Sequence, residues 1–280
     1  VSTGDTLDLG GAKLTFVEAR MLHWPDSMFA YLEGDAVLFT NDAFGMHLAC
    51  SERFTDQIEP TVWRYESSKY YANILLHFSP LVKRLLDKLP SLNLDIKLLA
   101  PDHGTIWREQ PERIIELYRE WAEQRPTRKA VVIYDTMWHS TARMAQAIGE
   151  GLSAGGATVR LLPLAGTHRS DVLTELLDAG ALVVGSPTMN NQIYPTVADA
   201  MTYIRGLKPK NLVGASFGSY GWSGEAPRQL DQQLVEMKVE LAAEGLRFNY
   251  VPDTEALAAC REHGQKVAKA LLAKIDSFGV

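Results

Sequence analysis

The sequence has few cysteines and no export or membrane signal. Its two cysteines, Cys50 and Cys260, lie far apart, and there is no CxxC pair. A disulfide framework is therefore not expected, nor is a thiolate site for zinc or a rubredoxin iron. No apolar run approaches the roughly 18 residues that indicate a membrane span, and no charged-then-apolar export signal opens the chain. We expect a cytoplasmic protein that does not enter a membrane.

The chain also lacks an excess of positive charge. Its formal net charge is −6 at pH 7; the acidic surplus lies in residues 1–126, and residues 127–280 are balanced. Neither part has the basic excess that favours nucleic acid, so no nucleic-acid partner is expected. An acidic domain is compatible with metal binding, but a solvated acidic surface is the commoner cause. The 280 residues suffice for two ordinary domains with cores of their own.

A charged segment, residues 121–128, divides the chain into a predicted domain at 1–126 and another at 127–280. In the second, five predicted strands alternate with five predicted helices. The strands are 129–135, 157–162, 181–185, 212–217 and 246–251, and the helices are 141–154, 170–179, 195–206, 225–244 and 254–276. This alternation predicts an α/β doubly wound parallel sheet with a ligand at the carboxyl ends of its strands.

Residues 1–126 predict a mixed α+β unit. Two hairpins are expected, one over 6–17 with a glycine turn and one over 28–40. A long helix near 67–89 and a strand near 96–100 follow, and another helix begins near Pro111. Because the chain opens on a strand pair without an initiator methionine, we expect that an amino-terminal piece is missing or lies on another chain.

Three potential metal ligands, His23, Asp42 and His103, lie where predicted strands give way to loops. Imidazole nitrogen and carboxylate oxygen suit zinc or non-haem iron, and a carboxylate can bridge two ions. Each residue has a simpler reading, because the histidines are also compatible with packing or turn roles and Asp42 with a turn or cap. The remaining candidates lack partners at useful spacing and are interpreted as surface or packing residues: His47, His77, His168 and His263.

A second candidate site follows the first strand of the α/β domain, in the run YDTMWHST. The hydroxyls of Thr136, Ser140 and Thr141, with backbone N–H groups at a helix start, are suited to surrounding a phosphate. Two further loops, 186–192 and 216–224, are expected at the same sheet edge, where they can clasp a flat ring system. Since GxGxxG is absent, a dinucleotide is disfavoured.

The metal-site residues and their surroundings resemble the flavodiiron proteins, a branch of the metallo-β-lactamase fold that continues into a flavodoxin domain. The resemblance covers essentially the whole chain and is closest to the flavorubredoxin type of nitric oxide reductase. It is carried by the spacing of His23, Asp42 and His103 and by the words MLHWPDS, NDAFG, PDHG and YYAN.

The resemblance implies roles for both sets of residues. His23 would ligate one iron, Asp42 would bridge and His103 would ligate the other, so these three are also the expected catalytic residues. The expected FMN-binding residues are Thr136, Met137, Trp138, His139, Ser140, Thr141, Pro187, Thr188, Met189, Asn190, Asn191, Ser219, Tyr220, Gly221, Trp222, Ser223 and Gly224. Tyr220 or Trp222 would stack on the ring, although either is also compatible with filling the loop.

One departure from the family pattern concerns the metal. The resemblance places an HxExDH cluster some sixty residues before His23, and no such motif occurs in this sequence. Three ligands shared between two irons are too few to hold the centre. We therefore expect that this chain cannot build the whole diiron site by itself.

The function implied is reduction of nitric oxide to nitrous oxide, of dioxygen to water, or of both. Electrons would come from a rubredoxin-like donor and its reductase, and pass through FMN to the diiron centre. A head-to-tail homodimer or a dimer of dimers is expected. Two alternatives remain open: an FMN electron-transfer protein whose metal domain is only a scaffold, and a zinc hydrolase fused to a flavodoxin.

Overall fold

A computed structural model describes residues 1–279. The chain forms a first unit, Val1–Glu123, and a second unit that begins at Gln124. This division lies three residues before the predicted one. Across the described residues, none of the helices combines the length and the apolar character needed to cross a bilayer.

The first unit is built on a five-stranded sheet whose spatial order follows the chain. Neighbouring strands are antiparallel except the last two, which are parallel. The strands are β1 (Thr6–Asp8), β2 (Lys13–Glu18), β3 (Met28–Leu32), β4 (Val37–Phe39) and β5 (Leu98–Ala100), and the helices are α1 (Pro60–Tyr70), α2 (Ser79–Lys88) and α3 (Glu112–Glu123). Both predicted hairpins form, so the α+β prediction is confirmed for this unit.

The single long helix predicted near 67–89 is wrong. The helix begins earlier, at Pro60, and gives way after Tyr70 to a π-helical stretch, Tyr71–Leu75, and a 3-10 turn, Leu76–Phe78. A new helix, α2, then starts at Ser79 with a proline in its first turn. Proline has no N–H and clashes inside a helix, but it is tolerated in the first turn, so the chain restarts there.

The second unit contains the predicted parallel sheet. Its strands are β6 (Lys129–Tyr134), β7 (Thr158–Pro163), β8 (Ala181–Gly185), β11 (Val213–Tyr220), β12 (Glu240–Leu241) and β13 (Leu246–Asn249). Their spatial order is β7–β6–β8–β11, and β12 and β13 both pair with β11. A separate hairpin joins β9 (Thr188–Met189) and β10 (Gln192–Ile193). The helices are α4 (Ser140–Ala154), α5 (Arg169–Leu176), α6 (Pro195–Leu207), α7 (Ala226–Glu236) and α8 (Thr254–Ser277). The doubly wound α/β prediction is confirmed.

The helix predicted over 225–244 is too long. In the structure α7 ends at Glu236, the chain turns through Lys238 in the left-handed region (φ 63°), and β12 joins the sheet beside β11. Val239, which follows the turn, is buried. Burial of this β-branched side chain beside the sheet outweighs the helical pattern of the preceding residues.

Helices α4 and α8 cross at close range, and glycine makes the crossing possible. A Cβ atom on Gly264 would collide with the carbonyl oxygen of Ile148, and one on Gly151 would collide with that of Arg261. Both obstacles are backbone atoms, which cannot rotate away. The two helices therefore depend on glycine for their separation.

We expect Gly264→Ala to destabilise the second unit by about 1–3 kcal/mol, the usual range for overpacking. Gly206→Ala is the matched control, because Gly206 lies in α6 with no atom within 4 Å of the added Cβ. There alanine should stabilise by about 0.5–1 kcal/mol through helix propensity. Urea unfolding followed by circular dichroism measures both variants, and equal effects would contradict the close crossing.

Candidate metal centre and cofactor pocket

Three loops of the first unit meet at the Asp42 carboxylate. Nε2 of His23 lies 3.6 Å from Oδ2 of Asp42, and Nε2 of His103 lies 3.1 Å from Oδ1. Asp42 is buried, at 5% exposure, whereas the two imidazoles remain partly open. The three predicted ligands therefore come together, and each imidazole faces a different oxygen of one carboxylate.

Asn41 joins the loops that carry these residues. Its side-chain oxygen accepts a hydrogen bond from Ser27 Oγ (3.0 Å), and its amide donates to Asp102 Oδ2 (2.8 Å). Its carbonyl oxygen also accepts from the Asp102 N–H (2.8 Å). Asn41 has a φ of 53°, a left-handed conformation that asparagine tolerates better than most residues. Our sequence reasoning assigned Asn41 no role, because nothing local indicates bonds across 14 and 61 residues.

Glycine permits the close approach of the Asp42 and His103 loops. The Met46 N–H donates to the His103 carbonyl oxygen (3.2 Å). Gly104 has a φ of 83°, and a Cβ there would lie 2.8 Å from the Met46 carbonyl oxygen. The glycine of the PDHG word is therefore required both by its backbone conformation and by the space available.

Buried hydrogen bonds hold the Asp42 loop from below. The Phe44 N–H donates to the Tyr118 hydroxyl (2.8 Å), and Trp107 Nε1 donates to the Phe44 carbonyl oxygen (3.0 Å). Phe44 itself has a φ of 66°, and all three residues are buried. An unpaired amide in this position would be costly, so these contacts fix the loop two residues after Asp42.

Tyr70 and His47 complete the surroundings of His103. The Tyr70 and His47 rings lie 6.3 and 5.3 Å from the His103 ring, and 4.8 Å from each other. His47 is exposed and packs against the Tyr70 and His103 rings, which agrees with its interpretation as a surface or packing residue. The Tyr70 hydroxyl is buried without a hydrogen-bond partner among the described residues. Burial, followed by the charges of Asp42 and Asp102, raises the pKa of Tyr70, so it remains a neutral donor.

The donor arrangement suits two ions better than one. Among residues 1–279, no three His, Cys, Asp or Glu side chains are grouped to hold a single ion. Asp42 instead offers one oxygen beside each imidazole, which makes two separate nitrogen–oxygen pairs. Both donor types fit iron or zinc, but two donors are fewer than either metal normally takes from protein.

In the second unit a cavity of about 440 Å³ opens at the carboxyl edge of the sheet. Its size is in the usual range for a cofactor pocket. Both predicted ring loops line it, together with the start of α4. The lining residues are Met137, Trp138, Ser140, Pro187, Thr188, Met189, Asn190, Asn191, Ser219, Tyr220, Gly221, Trp222, Ser223, Tyr250 and Val251.

Four of the expected FMN-binding residues do not line this cavity: Thr136, His139, Thr141 and Gly224. Thr141 is fully buried, and its hydroxyl shares a hydrogen bond with Ser219 Oγ (2.8 Å), which ties the phosphate loop to a ring loop. Gly224 lies beneath the Tyr220 ring, which a Cβ would approach to 2.9 Å. His139 is exposed with a φ of 64° and shapes the turn into α4.

Thr136 retains the clearest feature of a phosphate site. Its Oγ1 is buried without a hydrogen-bond partner among the described residues, although buried hydroxyls are normally paired. It lies in the loop directly before α4, where helix N–H groups and the helix dipole favour an anion. A phosphate group therefore fits the donors that this loop leaves open.

Sequence reasoning missed Tyr250 and Val251. They follow β13, and the Tyr250 N–H donates to the Tyr220 carbonyl oxygen (2.7 Å). Three aromatic residues of the pocket are largely exposed: Trp138 (87%), Trp222 (89%) and Tyr250 (67%). The rule that ligands bind at the carboxyl ends of strands, applied to the fifth predicted strand as well, would have found Tyr250.

Comparison with known proteins agrees with both units. Residues 132–264 match the flavodoxin family model. The chain is 51% identical over 269 residues to a nitric oxide reductase of Moorella thermoacetica, covering 96% of this chain and 67% of that protein. The rubredoxin oxygen:oxidoreductase structure from Desulfovibrio gigas is similar with a TM-score of 0.96 and 41% identity, covering 98% of this chain and 69% of that one. The flavodiiron protein of Giardia intestinalis gives 0.94 and 32%, covering 99% and 68%.

The fold is thus a metallo-β-lactamase-like α+β unit followed by a flavodoxin-like α/β unit. The chain belongs to the flavodiiron family of oxidoreductases. The chain spans about two thirds of the length of these relatives.

Tyr118→Phe should destabilise the first unit by about 1–3 kcal/mol, because it leaves the buried Phe44 N–H without an acceptor. Tyr31→Phe is the control, since the Tyr31 hydroxyl donates to the carbonyl oxygen of the exposed Asp95 (2.9 Å), which water can reach. Its effect should be smaller than that of Tyr118→Phe. Denaturant unfolding monitored by tryptophan fluorescence compares them, and a larger effect at Tyr31 would contradict this account of the loop.

Proposed function

We propose that this chain forms part of an enzyme that reduces nitric oxide to nitrous oxide, dioxygen to water, or both. Electrons pass through FMN in the second unit to a diiron centre in the first. The observation that supports this most strongly is the Asp42 carboxylate, with one oxygen beside His23 and the other beside His103. The names of the relatives support the choice of substrates.

In this proposal His23 holds one iron, His103 holds the other and Asp42 bridges them. Bound iron would supply sites at which nitric oxide or dioxygen accepts electrons. A buried bridging carboxylate fixes the separation of the two sites and offsets part of their positive charge. The remaining ligands belong to the HxExDH motif of the family, which this sequence does not contain.

Tyr70 is placed to donate a proton or a hydrogen bond beside the metal ligands. Its hydroxyl is buried and unpaired among the described residues, and its raised pKa keeps the proton in place at neutral pH. The His23 and His103 side chains are partly exposed, at 30% and 46%, so a small molecule can reach them. This chain therefore provides a hydrogen-bond donor, a charged bridge and an access route.

FMN in the cavity of the second unit supplies a carrier that accepts electrons and releases them singly. Thr136 and the start of α4 hold its phosphate, and the loops 187–191 and 219–224 hold its ring. A rubredoxin-like protein and its reductase are the proposed electron source. The proposed assembly is a head-to-tail homodimer, in which the flavin of one subunit serves the metals of its partner. A cytoplasmic location stays a prediction from cysteine content.

The FMN proposal predicts a yellow complex when the flavin-free chain is titrated with FMN. Thr136→Ala combined with Ser140→Ala should weaken binding by a few kcal/mol, at about 1–3 kcal/mol for each lost donor to a charged group. Thr202→Ala is the control, because the exposed Thr202 hydroxyl donates only to the Ala198 carbonyl oxygen within α6. Quenching of flavin fluorescence gives the dissociation constants. A folded wild-type chain that ignores FMN would refute the flavin site.

Asp42→Asn should abolish tight iron binding, because the amide keeps the shape but loses the charge and much of the bridging ability. The test uses a fusion in which an upstream segment containing the HxExDH motif expected for the family precedes residue 1. Iron per chain, measured by elemental analysis, should be near two in the parent and much lower in Asp42→Asn, with FMN binding unchanged. Asp95→Asn, at an exposed loop position, is the control. Zinc instead of iron in the parent would favour the hydrolase, and FMN without metal would favour the electron carrier.

A further inference from the structure

The hairpin β9–β10, which forms one wall of the cofactor cavity, is held by a side chain from another element. Its strands have two residues each, and Asn190 and Asn191 form its turn with φ values of 51° and 62°. Short hairpins of this kind are marginal by themselves. Contacts with other elements must therefore fix the position of the β9–β10 hairpin.

Gln229 of α7 supplies that support with both ends of its amide. Its Oε1 accepts a hydrogen bond from the Ile193 N–H (3.2 Å), and its Nε2 donates to the Asn191 carbonyl oxygen (3.0 Å). The side chain thus continues the hairpin ladder as a third strand would. Two further contacts come from the same helix end, from Asn191 Nδ2 to Glu225 Oε1 (3.3 Å) and from the Ala226 N–H to Thr188 Oγ1 (3.2 Å).

We propose that Gln229 is a positioning residue for the flavin ring. Gln229 does not line the cavity, but it is bonded to Asn191 and Ile193 of a hairpin whose residues Thr188 to Asn191 do. Loss of its amide would let this wall move away from the ring while leaving the phosphate loop in place. This inference rests on the proposal that the cavity binds FMN.

The chemistry of the two bonds makes the proposal testable by pH. Gln229→Glu keeps an oxygen that accepts from the Ile193 N–H, but its second oxygen, when ionised, faces the Asn191 carbonyl oxygen and cannot donate. When protonated at low pH, the same oxygen can donate again. Gln229→Ala lacks both bonds at every pH.

The experiment measures FMN dissociation constants of the full chain at pH 4 and pH 8, each divided by the wild-type value at the same pH. This ratio cancels titration of FMN itself. We expect Gln229→Ala to bind about tenfold more weakly at both pH values, as expected for about 1.4 kcal/mol. Gln229→Glu should bind about tenfold more weakly at pH 8 and within about threefold of wild type at pH 4, which lies below the usual glutamate pKa of about 4.3. Gln232→Ala, at an exposed position of the same helix, should match wild type.

A second measurement, on the flavin-free chain, tests the contact itself. Amide hydrogen exchange at Ile193 should be at least tenfold faster in Gln229→Ala than in wild type, while exchange in β11 is unchanged. Affinity within twofold of wild type for Gln229→Ala, or equal ratios at both pH values for Gln229→Glu, would overturn the positioning role. Unaltered exchange at Ile193 would overturn the contact. Failure of the wild-type chain to bind FMN would overturn the proposed flavin site, and with it this role, while the exchange result would still show whether Gln229 holds the hairpin.

Discussion

A buried carboxylate between two imidazoles is the constraint around which the first unit is organised. Removing the Asp42 charge from water is unfavourable unless cations or donors surround it. Its partners come from loops 19 and 61 residues away in the sequence, and no regular element spans them. Asn41 joins these loops at the surface, and Tyr118 and Trp107 hold the Asp42 loop from the core. Ligand geometry is therefore a property of the whole unit rather than of the loops.

The second unit also brings together site residues that are distant in sequence, but it does so through its sheet. Its sheet brings strand ends together at one edge, and the loops that follow them enclose a cavity. Side-chain hydrogen bonds then fix the cavity walls, from Thr141 at the start of α4 to Ser219 at the end of β11, and from Gln229 of α7 to Asn191 of the β9–β10 hairpin. The flat ring of the proposed FMN needs cavity walls whose separation stays constant. These hydrogen bonds fix the walls without placing every residue in contact with the ligand.

The parts of this protein that were predictable from sequence are those governed by local pattern. Alternating apolar strands and amphipathic helices gave the parallel sheet, and glycine turns gave the hairpins. These patterns failed at two places. Pro80 begins a new helix, α2, which is a local effect of proline, and burial of Val239 beside the sheet ends α7 early. The ligands His23, Asp42 and His103 were recognisable from spacing and surrounding words, but their supports were not. Three supporting residues act through hydrogen bonds to residues distant in sequence: Asn41, Tyr118 and Gln229. No local sequence pattern indicates such bonds.

The central claim is that electrons pass from FMN to the Asp42 site, where they reduce nitric oxide or dioxygen. The most direct test is anaerobic nitric oxide consumption by the fusion with the HxExDH-containing segment, carrying two irons and one FMN per chain, with reduced rubredoxin as the donor. The claim predicts that two molecules of nitric oxide, two electrons and two protons yield one nitrous oxide and one water, with the flavin reduced and reoxidised in each cycle. The same preparation is then tested with dioxygen. Protein with its full iron and flavin complement that consumes neither gas would contradict the account.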